Sequence, residues 1–150
     1  MLKTGTAMKA VFCTLACAAP AKADDLIDFG EDGVRTSCEA RFGPDEGYVD
    51  TCMDSQREHY RAVRRVWLLE GDMAREAAQR CVDDDWPRWH LIQRCTGNQV
   101  TALVGLRRWA DEDSTRRYLI IGHCAAESPA DIVAIERCAR GAAAALGDRQ

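Results

Sequence analysis

The sequence predicts an all-α fold of disulfide-clamped helical hairpins, arranged as three repeat units of 43 residues with the last one truncated. Three observations predict it. Cysteine pairs fourteen positions apart recur at one period: Cys38 and Cys52, Cys81 and Cys95, Cys124 and Cys138, each pair 43 residues beyond the previous one. Apolar residues recur at steps of three and four, the period of an amphipathic helix, and nothing alternates with period two over a strand's length. A proline falls inside every cysteine frame, at Pro44, Pro87 and Pro129, where a polar turn reverses the chain ahead of a new helix.

The first 23 residues, MLKTGTAMKAVFCTLACAAPAKA, place Lys3 and Lys9 ahead of the apolar run Ala10 to Ala19 and end on the small-residue triplet Ala21-Lys22-Ala23. That is the layout of a secretory signal peptide, with a mature chain expected to begin at Asp24 and to be periplasmic or secreted. The rival reading is a lipoprotein signal with Cys17 as a lipid anchor, although Thr14 and Leu15 fit that pattern poorly. All three lysines precede Asp24, so the remainder carries 17 arginines against 24 acids, a formal charge of −7. A net acidic chain is a poor binder of nucleic acid, which is held through cationic neutralisation of phosphates. The apolar run at Tyr118 to Ile121 is only four residues, so no transmembrane segment is expected after the leader.

The elements follow in order. Residues 24–37, DDLIDFGEDGVRTS, hold two glycines and little periodicity and are expected to be mostly irregular. A long helix from about Pro44 carries Val49, Cys52, Met53, Gln56, Tyr60, Val63 and Trp67 on one face. After the turn at 70–72 a shorter helix runs from Met73 to Val82. A second long helix from Pro87 carries Ile92, Cys95, Gln99, Ala102, Leu103, Leu106 and Ala110. After an acidic turn at 111–114 a shorter helix runs from Thr115 to Ala126, and a last helix starts at Pro129, with Ser128 and Asp131 as a passable capping box. Phased on the cysteines, the units are 38–80, 81–123 and 124–150 of a single repeat domain. Val49 aligns with Ile92 and Ile135, Gln56 with Gln99, and Arg64-Arg65 with Arg107-Arg108.

On one unbroken helix, two cysteines fourteen apart would share a face about 21 Å apart, too far to bond. They would then bridge to a neighbouring helix, as in coiled-coil-helix-coiled-coil-helix proteins. The proline and polar turn inside each frame favour the other reading, in which each pair clamps the corner of a hairpin. Metal thiolates and redox chemistry are disfavoured by the absence of any C-x-x-C pair. Each bridge would close a loop of about 15 residues, for which chain entropy gives roughly 3 kcal/mol. The pattern of Cys, Pro, Cys and then Gln four residues on resembles small exported proteobacterial proteins with Cys-Pro-Cys-Gln helical repeat units. The resemblance spans residues 38 to 140 and carries neither a catalytic residue nor an activity across. The third unit departs from it with Ala142 in place of Gln.

Candidate chemistry is sparse. Trp86, Trp89 and His90 crowd one helix start beside Asp83-Asp84-Asp85; they read as a polar-aromatic binding spot, or more simply as a cap with aromatic packing at the corner. Arg57, Arg61, Arg64 and Arg65, echoed by Arg107 and Arg108, read as a patch for an acidic partner, lipid headgroups or anionic glycans, or as a solvated helix face. His59, His90 and His123 sit at no zinc-helix spacing, the acidic turns lack a calcium-loop pattern, and there is no nucleophile elbow or phosphate-cradling glycine loop. No cofactor and no metal are expected. The leading expectation is a non-enzymatic module that binds a protein partner in the bacterial cell envelope, or serves there as a scaffold. An inhibitor or stress factor acting on an envelope enzyme comes second, and a small enzyme or metal-binding protein third.

Overall fold

The computed structural model describes residues 27–147 except Asp113. The leader, Cys17 and the cleavage point before Asp24 lie outside the described residues. Six helices follow one another: α1 (Glu31–Phe42), α2 (Glu46–Leu69), α3 (Asp72–Asp85), α4 (Trp89–Glu112), α5 (Ser114–Glu127) and α6 (Ile132–Ala145). They pair as three hairpins, each a short helix followed by a longer or equal one. The three bridges are Cys38–Cys52, Cys81–Cys95 and Cys124–Cys138, with Cα atoms 5.8 to 5.9 Å apart. Each joins the short helix of a hairpin to the second turn of its partner, so pairing is within every frame.

Residues 31–37 correct the expected irregular segment, for they form the first half of α1. Glu31 and Asp32 stand in its first turn, where negative charge suits the helix dipole, and Arg41 stands in its last. Only Val34 and Cys38 of this helix are buried. Two apolar positions one turn apart are too few to show a period. The structural units are therefore hairpins whose first helices start at Glu31, Asp72 and Ser114, ahead of Cys38, Cys81 and Cys124, and the cysteine-phased boundaries cut through α1, α3 and α5.

The long helices begin two or three residues after each proline. Pro44 precedes the N-cap Asp45, whose carboxylate accepts from the backbone N–H groups of Gly47 and Tyr48 at 3.0 and 3.3 Å. At α6 the expected box is replaced by Asp131 itself as N-cap, accepting from the Ala134 N–H at 3.0 Å. The glutamine of the repeat completes this cap. Gln99 Oε1 accepts from the backbone N–H groups of Ile132 and Val133 at 2.7 and 3.2 Å, and its Nε2 donates to Asp131 at 3.3 Å. Gln99 therefore ties α4 to the N-terminus of α6. Gln56, one unit earlier, reaches the start of α4 instead, donating from Nε2 to His90 Nδ1 at 3.3 Å.

The second helices of the hairpins, α2, α4 and α6, pack side by side, with α4 touching both of the others, and the first helices cover them. Besides its own partner, α3 also packs on α2 and α5 on α4. The buried residues of α3 are Ala74, Ala77, Ala78, Cys81 and Val82, small enough to let the helix axes approach closely. The core has two clusters. One joins α1 and α2 to Ala78, Cys81, Val82, Trp89 and Ile92; the other joins α5 and α6 to Ala74, Ala77 and the second half of α4. The middle hairpin belongs to both.

Each junction between hairpins is tied by the same contact. Arg75 Nε donates to the carbonyl oxygen of Trp67 at 2.9 Å, and Arg117 Nη1 donates to that of Trp109 at 2.8 Å. Arg117 is buried, and its guanidinium also lies over the Trp109 ring at 4.8 Å from the centroid.

Candidate functional site

The fold sends Trp86, Trp89 and His90 in three directions. Trp86 is 49% exposed, and its indole lies over the N-terminal turn of α1. Gly30 there has a left-handed backbone (φ 67°), and a Cβ on Gly33 would meet the ring at 2.2 Å, so this close approach requires glycine. Trp89 is 0% exposed, which removes it from the possible binding surface and agrees with the other reading, aromatic packing at the corner. Its Nε1–H donates to the carbonyl of Phe29 at 3.0 Å, and its ring meets Tyr60 edge-on at 4.9 Å and Phe29 at 6.1 Å. The short segment before α1 supplies Ile27 and Phe29 to this cluster, and the Tyr60 hydroxyl donates to the Ile27 carbonyl at 3.0 Å.

His90 alone faces a cleft, about 420 Å³, between the end of α1, the first half of α2 and the start of α4. Its walls carry Arg41, Phe42, Tyr48, Ser55, Gln56 and His59. The two imidazole centroids lie 6.2 Å apart. His59 Nδ1 is hydrogen-bonded to Gln93 Oε1, an acceptor only, so Nδ1 bears the proton. His90 Nδ1 accepts from Gln56, which leaves its proton on Nε2. Burial first, then the charges of His59, Arg41, Arg88 and Arg94, push His90 below the usual histidine range. Sequence reasoning missed Arg41, Gln56 and His59 as partners of His90, because they meet it only through the packing of α1 and α2 against α4.

The arginine doublets are where the periodicity placed them. Arg64 and Arg65 on α2 and Arg107 and Arg108 on α4 occupy equivalent positions of neighbouring packed helices, and all four are exposed. Among the described residues no carboxylate pairs with any of them. Arg57 differs: it bridges Glu31 and Asp54, which together raise its pKa above the ordinary arginine value despite some burial. The acids at 83–85 each bond a separate neighbour, Asp83 with Gln79, Asp84 with Arg80 and Asp85 with Arg88.

The six cysteines from Cys38 onward are all bridged, which removes them as nucleophiles or metal ligands. Among the described residues no group of three or more His, Cys, Asp or Glu could hold a metal ion, and no helix is long and apolar enough to cross a membrane. Compared with known proteins, the chain matches no family model, no curated protein and no solved structure. Three intramolecular disulfides are those of a protein that matures in an oxidising compartment.

Proposed function

We propose that the chain is an exported, non-enzymatic helical repeat protein of the bacterial cell envelope, a binding or scaffold module that offers the arginine-bearing face of α2 and α4 to an acidic partner protein. The observation that carries this reading is the set Arg64, Arg65, Arg107 and Arg108, exposed on two packed helices and free of carboxylate partners among the described residues. A chain with a net formal charge of −4 that leaves four arginines unneutralised on adjacent helices has a local field opposite to its overall one. The leader-like first 23 residues and the bridges support export. The bridged hairpins supply a stiff scaffold for the face, and such arrays form extended surfaces more readily than catalytic pockets.

The test is affinity capture from an envelope extract with the oxidised protein and with a variant carrying Arg64→Glu, Arg65→Glu, Arg107→Glu and Arg108→Glu, matched in helicity by circular dichroism. The reading expects an acidic protein retained by the parent, lost by the variant, and released as salt rises. Identical capture by both chains would refute the arginine face.

A further inference from the structure

Beside the arginine face, the cleft at His90 has the chemistry of a second and different binding site. Arg41, His59 and His90 line it, and among the described residues no aspartate or glutamate does. A smaller cavity of about 90 Å³ adjoins it, sharing Arg41, Gln56 and His90 and adding Arg88, and among the described residues that cavity too has no acid in its walls. Arg88 is bridged to Asp85 at 2.9 Å, so its charge is largely answered. Arg41 has no carboxylate partner among the described residues; its guanidinium lies 5.2 Å from the centroid of the Phe42 ring.

We propose that this cleft binds a small organic monoanion, a carboxylate on a flat apolar body. The charge is set by Arg41, among the described residues the one permanent cation in the walls without a carboxylate partner, whose planar fork matches a carboxylate. His90 is held toward its neutral form, so it offers an N–H donor and no second positive charge, which suits a monoanion better than a phosphate dianion. The apolar body is called for by the lining: Phe42 and Tyr48 are large aromatics of the cleft left 45% and 65% exposed. The volume lies within the range of small-molecule sites. The Cys38–Cys52 bridge holds the α1 and α2 walls in fixed relation, so the site is organised before any ligand arrives.

The probe is benzoate, titrated into the oxidised full chain while the histidine ring signals are followed by NMR. His59 and His90 report the cleft, and His123, exposed on α5, is the internal control. The proposal expects saturable shifts of His59 and His90 with His123 unmoved. Arg41→Gln and Tyr48→Ala, both at exposed positions, are each expected to weaken benzoate by about tenfold, as the loss of a charged hydrogen bond or an aromatic wall implies, while Arg64→Gln leaves it unchanged. Inorganic phosphate is expected to bind at least about tenfold more weakly than benzoate, since it has no apolar body to bury. Absence of saturation, equal shifts at His123, insensitivity to both cleft variants, or phosphate binding as tight as benzoate would each overturn the proposal.

Discussion

Two side chains show how far a residue's role depends on its neighbours. Asp131 and Gln99 together close the N-terminus of α6, and the Asp131 carboxyl sits below its ordinary value of 3.8. Burial works against this shift, but the hydrogen bonds from Ala134 and Gln99 and the charges of Arg80 and Arg137 outweigh it. A depressed carboxyl pKa adds stability that is fully present above the unfolded value and is lost as pH falls through the folded one. Asp131→Ala should therefore cost about 1 kcal/mol in urea unfolding near neutral pH, with the difference from the parent shrinking as the pH is taken well below 3.8. A second test concerns Gly33, where an added Cβ would overlap the Trp86 ring. Gly33→Ala should unseat Trp86, making it more accessible to a fluorescence quencher while helicity is kept. Unchanged quenching would show that the indole does not rest there.

At the level of elements, the disulfides carry the hairpins. Removing Cys81–Cys95 as a double serine variant should cost roughly 3 kcal/mol by loop entropy, read from the urea midpoint, and should weaken both core clusters, because α3 and α4 contribute to each. The same change at Cys38–Cys52 should chiefly loosen α1, which packs mainly on α2. The long helices, their starts and the bridge pairing were legible in sequence because each left a periodic or capped signature. Helix α1 was not, since a helix that buries only Val34 and Cys38 leaves almost no pattern. Trp89 could be read from its position as aromatic packing at the corner, but its partners Phe29 and Tyr60 could not, since they meet it only in the folded chain. The arginine doublets could be placed from their spacing alone. The cleft could not, for Gln56 and His90 are 34 residues apart and meet only across packed helices. One signal was available and overlooked: Trp67 with Arg75 and Trp109 with Arg117, both eight apart, mark the two junctions between hairpins.

For the molecule as a whole, two clusters joined through one hairpin make a specific demand on unfolding. Helicity and tryptophan fluorescence should change together in urea, because Trp89 lies in one cluster, Trp109 in the other, and α4 runs through both. Separate transitions would mean that the hairpins fold independently. Export and bridge pairing within frames are read in one experiment, a non-reducing tryptic peptide map of the protein recovered from a bacterial periplasm. Arg41 divides the first cysteine pair, Arg88 and Arg94 the second, and Arg137 the third, so each bridge appears as a joined peptide pair. The expected result is three such pairs, Cys38 with Cys52, Cys81 with Cys95 and Cys124 with Cys138, and an N-terminal peptide that begins at Asp24. Links between frames, free thiols among these six cysteines, or a chain that keeps its first 23 residues would contradict it.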